Sequence, residues 1–204
     1  MCVAVYVMTA VGRIHQLFGA LEALHLAMIA SVLAIVLYVL DSKGERRAER
    51  LTGTTVTLSA VLLFWAMLSI PSALRAGDSF DLIFDNFFKT LLMSFVVAAS
   101  IRGIRDVERL ALVYFAGAAI YSSIVISRFD LGDGGNWRLG HLYYYDANDF
   151  ATFVVTAIPL GVYFLHTATR WTTRIWAGIG LVVLSLGFVW SGSRGAFIAL
   201  TAVR

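Results

Sequence analysis

The chain has 204 residues, 59% of them apolar and 14% charged, with a mean hydropathy of +0.80; soluble domains carry about 45–50% apolar and about 25% charged residues. This composition excludes a water-soluble globule, a disordered segment and a collagen-like chain, and a single cysteine, Cys2, excludes a disulfide scaffold. The formal charge of +3 comes from basic residues placed between apolar runs, so the expected partner is a lipid bilayer and no nucleic acid.

Met1 to Gly12 is apolar but too short to span, and it has neither the basic start nor the cleavage site of a signal peptide. Six spans are predicted after it, at Leu21 to Leu40, Thr54 to Ile70, Asn86 to Ile101, Glu108 to Ile126, Phe150 to His166 and Ile175 to Trp190. Each approaches the length a helix needs to cross about 30 Å of hydrocarbon. The expected fold is therefore an all-α, polytopic transmembrane helix bundle forming a single domain over residues 1–204. Asp85 and Lys89 enter the third span four residues apart, which predicts an interfacial pair with Lys89 snorkelling. Pro159 is expected to kink the fifth span. Ala196 to Val203 begins another apolar helix that stops short of a crossing, so the chain is expected to be the N-terminal portion of a longer protein.

Basic residues set the orientation. Lys43, Arg46, Arg47, Arg50, Arg102, Arg105, Arg109, Arg170 and Arg174 fall in three loops, against Arg13, Arg75, Arg128, Arg138 and Arg194 on the alternate side. The positive-inside bias assigns the nine to the cytoplasm and the five to the outside.

The outer loop Arg128 to Asp149 then gathers most of the polar groups. Asp130 to Asn136 lacks calcium-loop spacing, and no CxxC, HExxH, P-loop or dinucleotide fingerprint occurs, so neither metal nor cofactor is expected. Trp137 and Tyr143 to Tyr145 suit either a membrane-interface belt or a platform for stacking sugars. Asp146 precedes an apolar helix as an N-cap, with Ala147 first in the helix and Asp149 in its first turn. The same carboxylates lie near Arg138 and His141 in sequence and could hold an arginine for a substrate. Further on, Ser191-Gly192-Ser193-Arg194-Gly195 separates two apolar runs. Ser193 can cap the helix that follows, and an arginine at a helix start opposes the dipole unless an anion is near. The alternatives for Arg194 are a phosphate site and a snorkelling surface residue.

The order of these motifs resembles the bacterial O-antigen ligase and O-antigen polymerase family. Arg138-Leu139-Gly140 precedes Tyr145-Asp146-Ala147-Asn148-Asp149-Phe150-Ala151, then a span with Pro159, a basic turn, and a span ending in Ser191-Gly192-Ser193-Arg194-Gly195. The likeness is specific over about Arg138 to Leu200; Ala147 stands where the family commonly has proline, another residue suited to the first helical position. The resemblance implies the C-type membrane glycosyltransferase architecture in the bacterial cytoplasmic membrane. It further implies a polyprenyl-pyrophosphate-linked glycan donor, a lipid-core, glycan or protein acceptor at the outer face, and no metal. Arg194 would be the catalytic residue facing the donor pyrophosphate, with Arg138, His141, Tyr145, Asp146, Asn148, Asp149 and Ser193 in substrate binding. In ligases of the family a histidine and a further arginine come from a large outer loop in the second half of the protein, so this chain alone is expected to be inactive. Two other classes stay open: an anion transporter or channel lined by Arg138 and Arg194, and a non-catalytic membrane scaffold.

Overall fold

Apolar length and local capping decide where the helices run. The computed structural model describes residues 4, 7–8, 29, 32–36, 53–101, 103–128 and 146–202, and all regular structure among them is helical. Four helices among the described residues are long and apolar enough to cross a membrane, at Ala76–Ser100, Ile104–Arg128, Ala147–Thr167 and Trp171–Ser191, with a shorter apolar helix at Val56–Ser72. The protein is thus an all-α helical bundle of membrane-spanning character. The predicted span Leu21 to Leu40 lies outside the described residues except at Ile29 and residues 32–36, which are helical.

The described residues fall into two compact units, one from Ile29 to Asp106 and the other from Val107 onward together with Ala4, Val7 and Met8. In the first, α1 (Thr54–Ser69) runs into a 3-10 turn at Ile70–Ser72, where Pro71 near the turn's start does not compete for an intrahelical donor. Helix α2 (Ala76–Asp81), a π-helical stretch at Leu82–Phe88 and α3 (Lys89–Ser100) follow as one continuous span. It begins at Ala76 rather than at the predicted Asn86. Asp78 sits in the first turn, where the helix dipole favours an acid, and Arg75 lies 3.6 Å from it. Phe80 and Phe84 stack at 4.4 Å and carry the apolar face past the acids. The predicted Asp85 to Lys89 pair lies outside the described residues, because the Asp85 side chain does.

The second unit contains most of α4 (Ile104–Arg128), all of α5 (Ala147–Thr167) and α6 (Trp171–Ser191), and the short α7 (Arg194–Ala202). One face of α4 presents Phe115, Ala118, Tyr121 and Val125 to Phe150, Val154 and Ala157 of α5 and Leu184 of α6. The spacing of three or four residues is that of a single helical stripe. Between apolar helices in lipid, association comes from close packing rather than from water exclusion, so small residues matter. Phe115 lies over a notch made by two glycines: a methyl group at Gly161 or Gly180 would come within 2.5 or 2.6 Å of its ring. Phe150 covers Gly187 in the same manner, at 3.1 Å. Tyr121 meets Phe150 and Phe153 at ring separations of 6.1 and 5.9 Å. Near the far end of α5, Tyr163 Oη donates to Glu108 Oε1 of α4 at 2.8 Å.

Candidate functional site

The start of α5 and the start of α7 lie at one end of the second unit, joined by a cluster of Ala151, Val155 and Ala196 with Phe188 and Leu200 against it. Each start is built locally. Asp146 has extended backbone angles, and its Oδ1 accepts the amides of Asn148 at 2.6 Å and Asp149 at 2.8 Å. It is therefore an N-cap, with Ala147 first in the helix, as its position before an apolar run predicts. Asn148 and Asp149 are exposed on the first turn.

At the other start, α6 ends on Gly192, whose φ of 58° and ψ of 22° put it in the left-handed region that glycine enters without steric cost. Its amide donates to Val189 O at 3.2 Å. Ser191 Oγ donates to Phe188 O at 2.6 Å and accepts the Ser193 amide at 3.3 Å, which turns the chain into α7. Ser193 Oγ then accepts the Ala196 amide at 3.3 Å, and Ser193 O accepts the Phe197 amide at 3.2 Å. The serine thus caps the third amide of α7 and leaves the first two, on Arg194 and Gly195, without an acceptor among the described residues. The Arg194 side chain is exposed and likewise has no hydrogen-bond or ion-pair partner among the described residues.

Beside these groups an open groove of about 400 Å³ runs between Thr152, Val155, Thr156 and Pro159 of α5 and Gly195, Ala196 and Ala199 of α7. Nothing stands within 4 Å of where a Gly195 side chain would begin, so the groove's entrance is open next to Arg194. Thr152 Oγ1 donates to Asn148 O at 2.9 Å and Thr156 Oγ1 to Thr152 O at 2.8 Å, which turns both hydroxyl hydrogens back onto the helix. Pro159 cannot supply the amide that the Val155 carbonyl would otherwise receive. The groove wall is consequently apolar, with backbone and hydroxyl oxygens as its polar features.

Of the site residues expected from the sequence, Asp146, Asn148, Asp149, Ser193 and Arg194 fall at this end of the unit, while Arg138, His141 and Tyr145 lie outside the described residues. Asp146 and Ser193 are engaged in capping. Sequence reasoning missed the groove, although Thr152 and Thr156, four residues apart, mark one helix face. Among the described residues no group of three or more His, Cys, Asp or Glu is placed to hold a metal ion.

The fold and this site define a polytopic helical membrane protein with an exposed arginine at a helix start. The chain belongs to a family of unknown function, DUF5935, which matches residues 1–169. That match includes Asp146 to Asp149 and ends before Ser191 to Gly195. No curated protein and no solved structure matches the chain.

Proposed function

We propose that the protein is a multi-pass membrane glycosyltransferase of the O-antigen ligase or polymerase type. In this reading it sits in the bacterial cytoplasmic membrane and transfers a polyprenyl-pyrophosphate-linked glycan to a lipid-core, glycan or protein acceptor at the outer face. The observation that supports it is the juxtaposition at the start of α7: an exposed arginine, two amides without an acceptor among the described residues, and an apolar groove opening at Gly195. A lipid-linked pyrophosphate needs an anion site beside an apolar path, and these groups supply both kinds of surface.

As the acceptor's hydroxyl oxygen bonds to the anomeric carbon and gives up its proton to solvent, the bond from that carbon to the pyrophosphate oxygen breaks and leaves its electron pair, and so negative charge, on the departing lipid pyrophosphate. The Arg194 guanidinium, which offers a planar fork of donors, and the Arg194 and Gly195 amides stabilise that charge as it develops. Asp146 works indirectly by starting α5, against which α7 packs. Ser193 caps α7 through the Ala196 amide and leaves the first two amides of the helix to the donor.

The test is glycan transfer in cells carrying Arg194→Ala or Arg194→Lys in the native gene, with membrane insertion checked separately. The alanine variant is expected to lose roughly 10²–10³-fold of transfer, the size of effect seen when one charge-stabilising donor is removed. Lysine is expected to recover little, because a point charge does not reproduce bidentate phosphate contact. Full transfer by the inserted alanine variant would overturn the proposal.

A further inference from the structure

The end of the second unit opposite the α7 start carries a different chemistry. Helix α6 begins there, and its first six positions from the cap are exposed throughout. Arg170 caps the helix without a side-chain bond, its carbonyl accepts the Arg174 amide at 3.2 Å, and no acid occupies the first turn. The two arginines are therefore one turn apart, and neither has a carboxylate partner among the described residues. Trp171 and Trp176, 74% and 71% exposed, lie on the same stretch. His166 is exposed in the last turn of the neighbouring α5. Glu108, an acid that α4 brings to this end, is already engaged by Tyr163.

Exposed guanidinium groups without a carboxylate partner among the described residues, on a helix start that also carries two exposed indoles, match one partner in charge and in polarity. We propose that the α6 start is a binding surface for anionic phospholipid headgroups of the leaflet it faces. Arg170 and Arg174 contact lipid phosphates, while Trp171 and Trp176 rest where headgroup meets acyl chain, the level that indoles favour. The surface would select among lipids and not merely tolerate them.

The experiment uses the full chain purified in neutral detergent, with phosphatidylglycerol and phosphatidylcholine supplied in equal amounts and retained lipids counted by native mass spectrometry. The wild type is expected to retain phosphatidylglycerol preferentially. The Arg170→Ala/Arg174→Ala variant should lose that preference by roughly 30-fold, the loss expected for two arginines at an anionic surface. The Arg170→Lys/Arg174→Lys variant should keep most of it, since charge near the surface is what counts, and its thermal unfolding in detergent should match wild type. Equal retention of both lipids by the wild type, or an unchanged preference in the alanine variant, overturns the proposal. So does loss of the preference on adding millimolar inorganic phosphate at constant ionic strength, which would assign the arginines to a soluble anion.

Discussion

Helices α5 and α7 start at the same end of one unit and are capped by opposite chemistries. At α5 a carboxylate takes two amides at 2.6 and 2.8 Å, and a second acid, Asp149, stands in the first turn, so the positive end of the helix is answered by its own side chains. At α7 a neutral hydroxyl takes one amide at 3.3 Å, no acid stands in the first turn, and the first residue is an arginine. A carboxylate cap closes a helix start to anions; a serine cap holds the helix while leaving its charge unanswered. Both devices secure the helix, and of the two starts only the second leaves its first two amides without an acceptor among the described residues.

The sharpest way to break this comparison is to give α7 the cap of α5. Ser193→Asp retains a side chain of equal capping strength, but Ser193 is buried and a carboxylate there is desolvated, so unfolding in detergent is measured beside transfer. The added negative charge beside Arg194 should lower glycan transfer by about 10²-fold, as loss of a charge-stabilising donor would. Equal transfer by this variant and wild type would mean that the unanswered charge at α7 has no role in the reaction.

A smaller effect is expected in the packing of α4 against α5 and α6. Gly180→Ala places a methyl 2.6 Å from the Phe115 ring, which is 5% exposed and hemmed in by Gly161 and Phe164. Overpacking of this kind costs about 1–3 kcal/mol and should appear as a lower unfolding temperature in detergent. Adding Phe115→Leu shortens the intruding side chain and should restore part of the loss. If the single variant unfolds like wild type, the glycine notch does not set the distance between α4 and α6.

Much of this architecture is legible in the chain because membrane-spanning helices are defined by apolar length. The predicted Glu108 to Ile126, Phe150 to His166 and Ile175 to Trp190 correspond to the helices Ile104–Arg128, Ala147–Thr167 and Trp171–Ser191, each a few residues longer than its predicted span. The start of the third span is less legible, because Asp78, Asp81 and Asp85 mimic a loop in the sequence, while Phe80, Phe84 and Phe88 recur every four residues. Both caps are legible because they are local: Asp146 and Ser193 each bond amides two or three residues away. The helix packing is not, since Gly161 sits on one helix and Gly180 and Gly187 on another, and no single-helix motif joins them. The groove is hidden for the same reason. Thr152 and Gly195 are brought together only by the contact of Ala151 and Val155 with Ala196, a tertiary event that no local pattern encodes.

The smallest effect belongs to the closed cap. Asp146→Ala removes the acceptor of two amides in α5 and should cost about 1 kcal/mol of stability, whereas Asp146→Asn retains a capping oxygen and should cost only a few tenths. Transfer should follow stability in this pair, with the asparagine variant near wild type, because the Asp146 carboxylate is spent on its own helix. A different result would move the boundary between the two helix starts. If Asp146→Asn is as stable as wild type and yet loses transfer as heavily as Arg194→Ala, the negative charge itself is needed. The α5 start would then be part of the reacting surface, with its acid positioning a cationic group of the site rather than merely ending a helix.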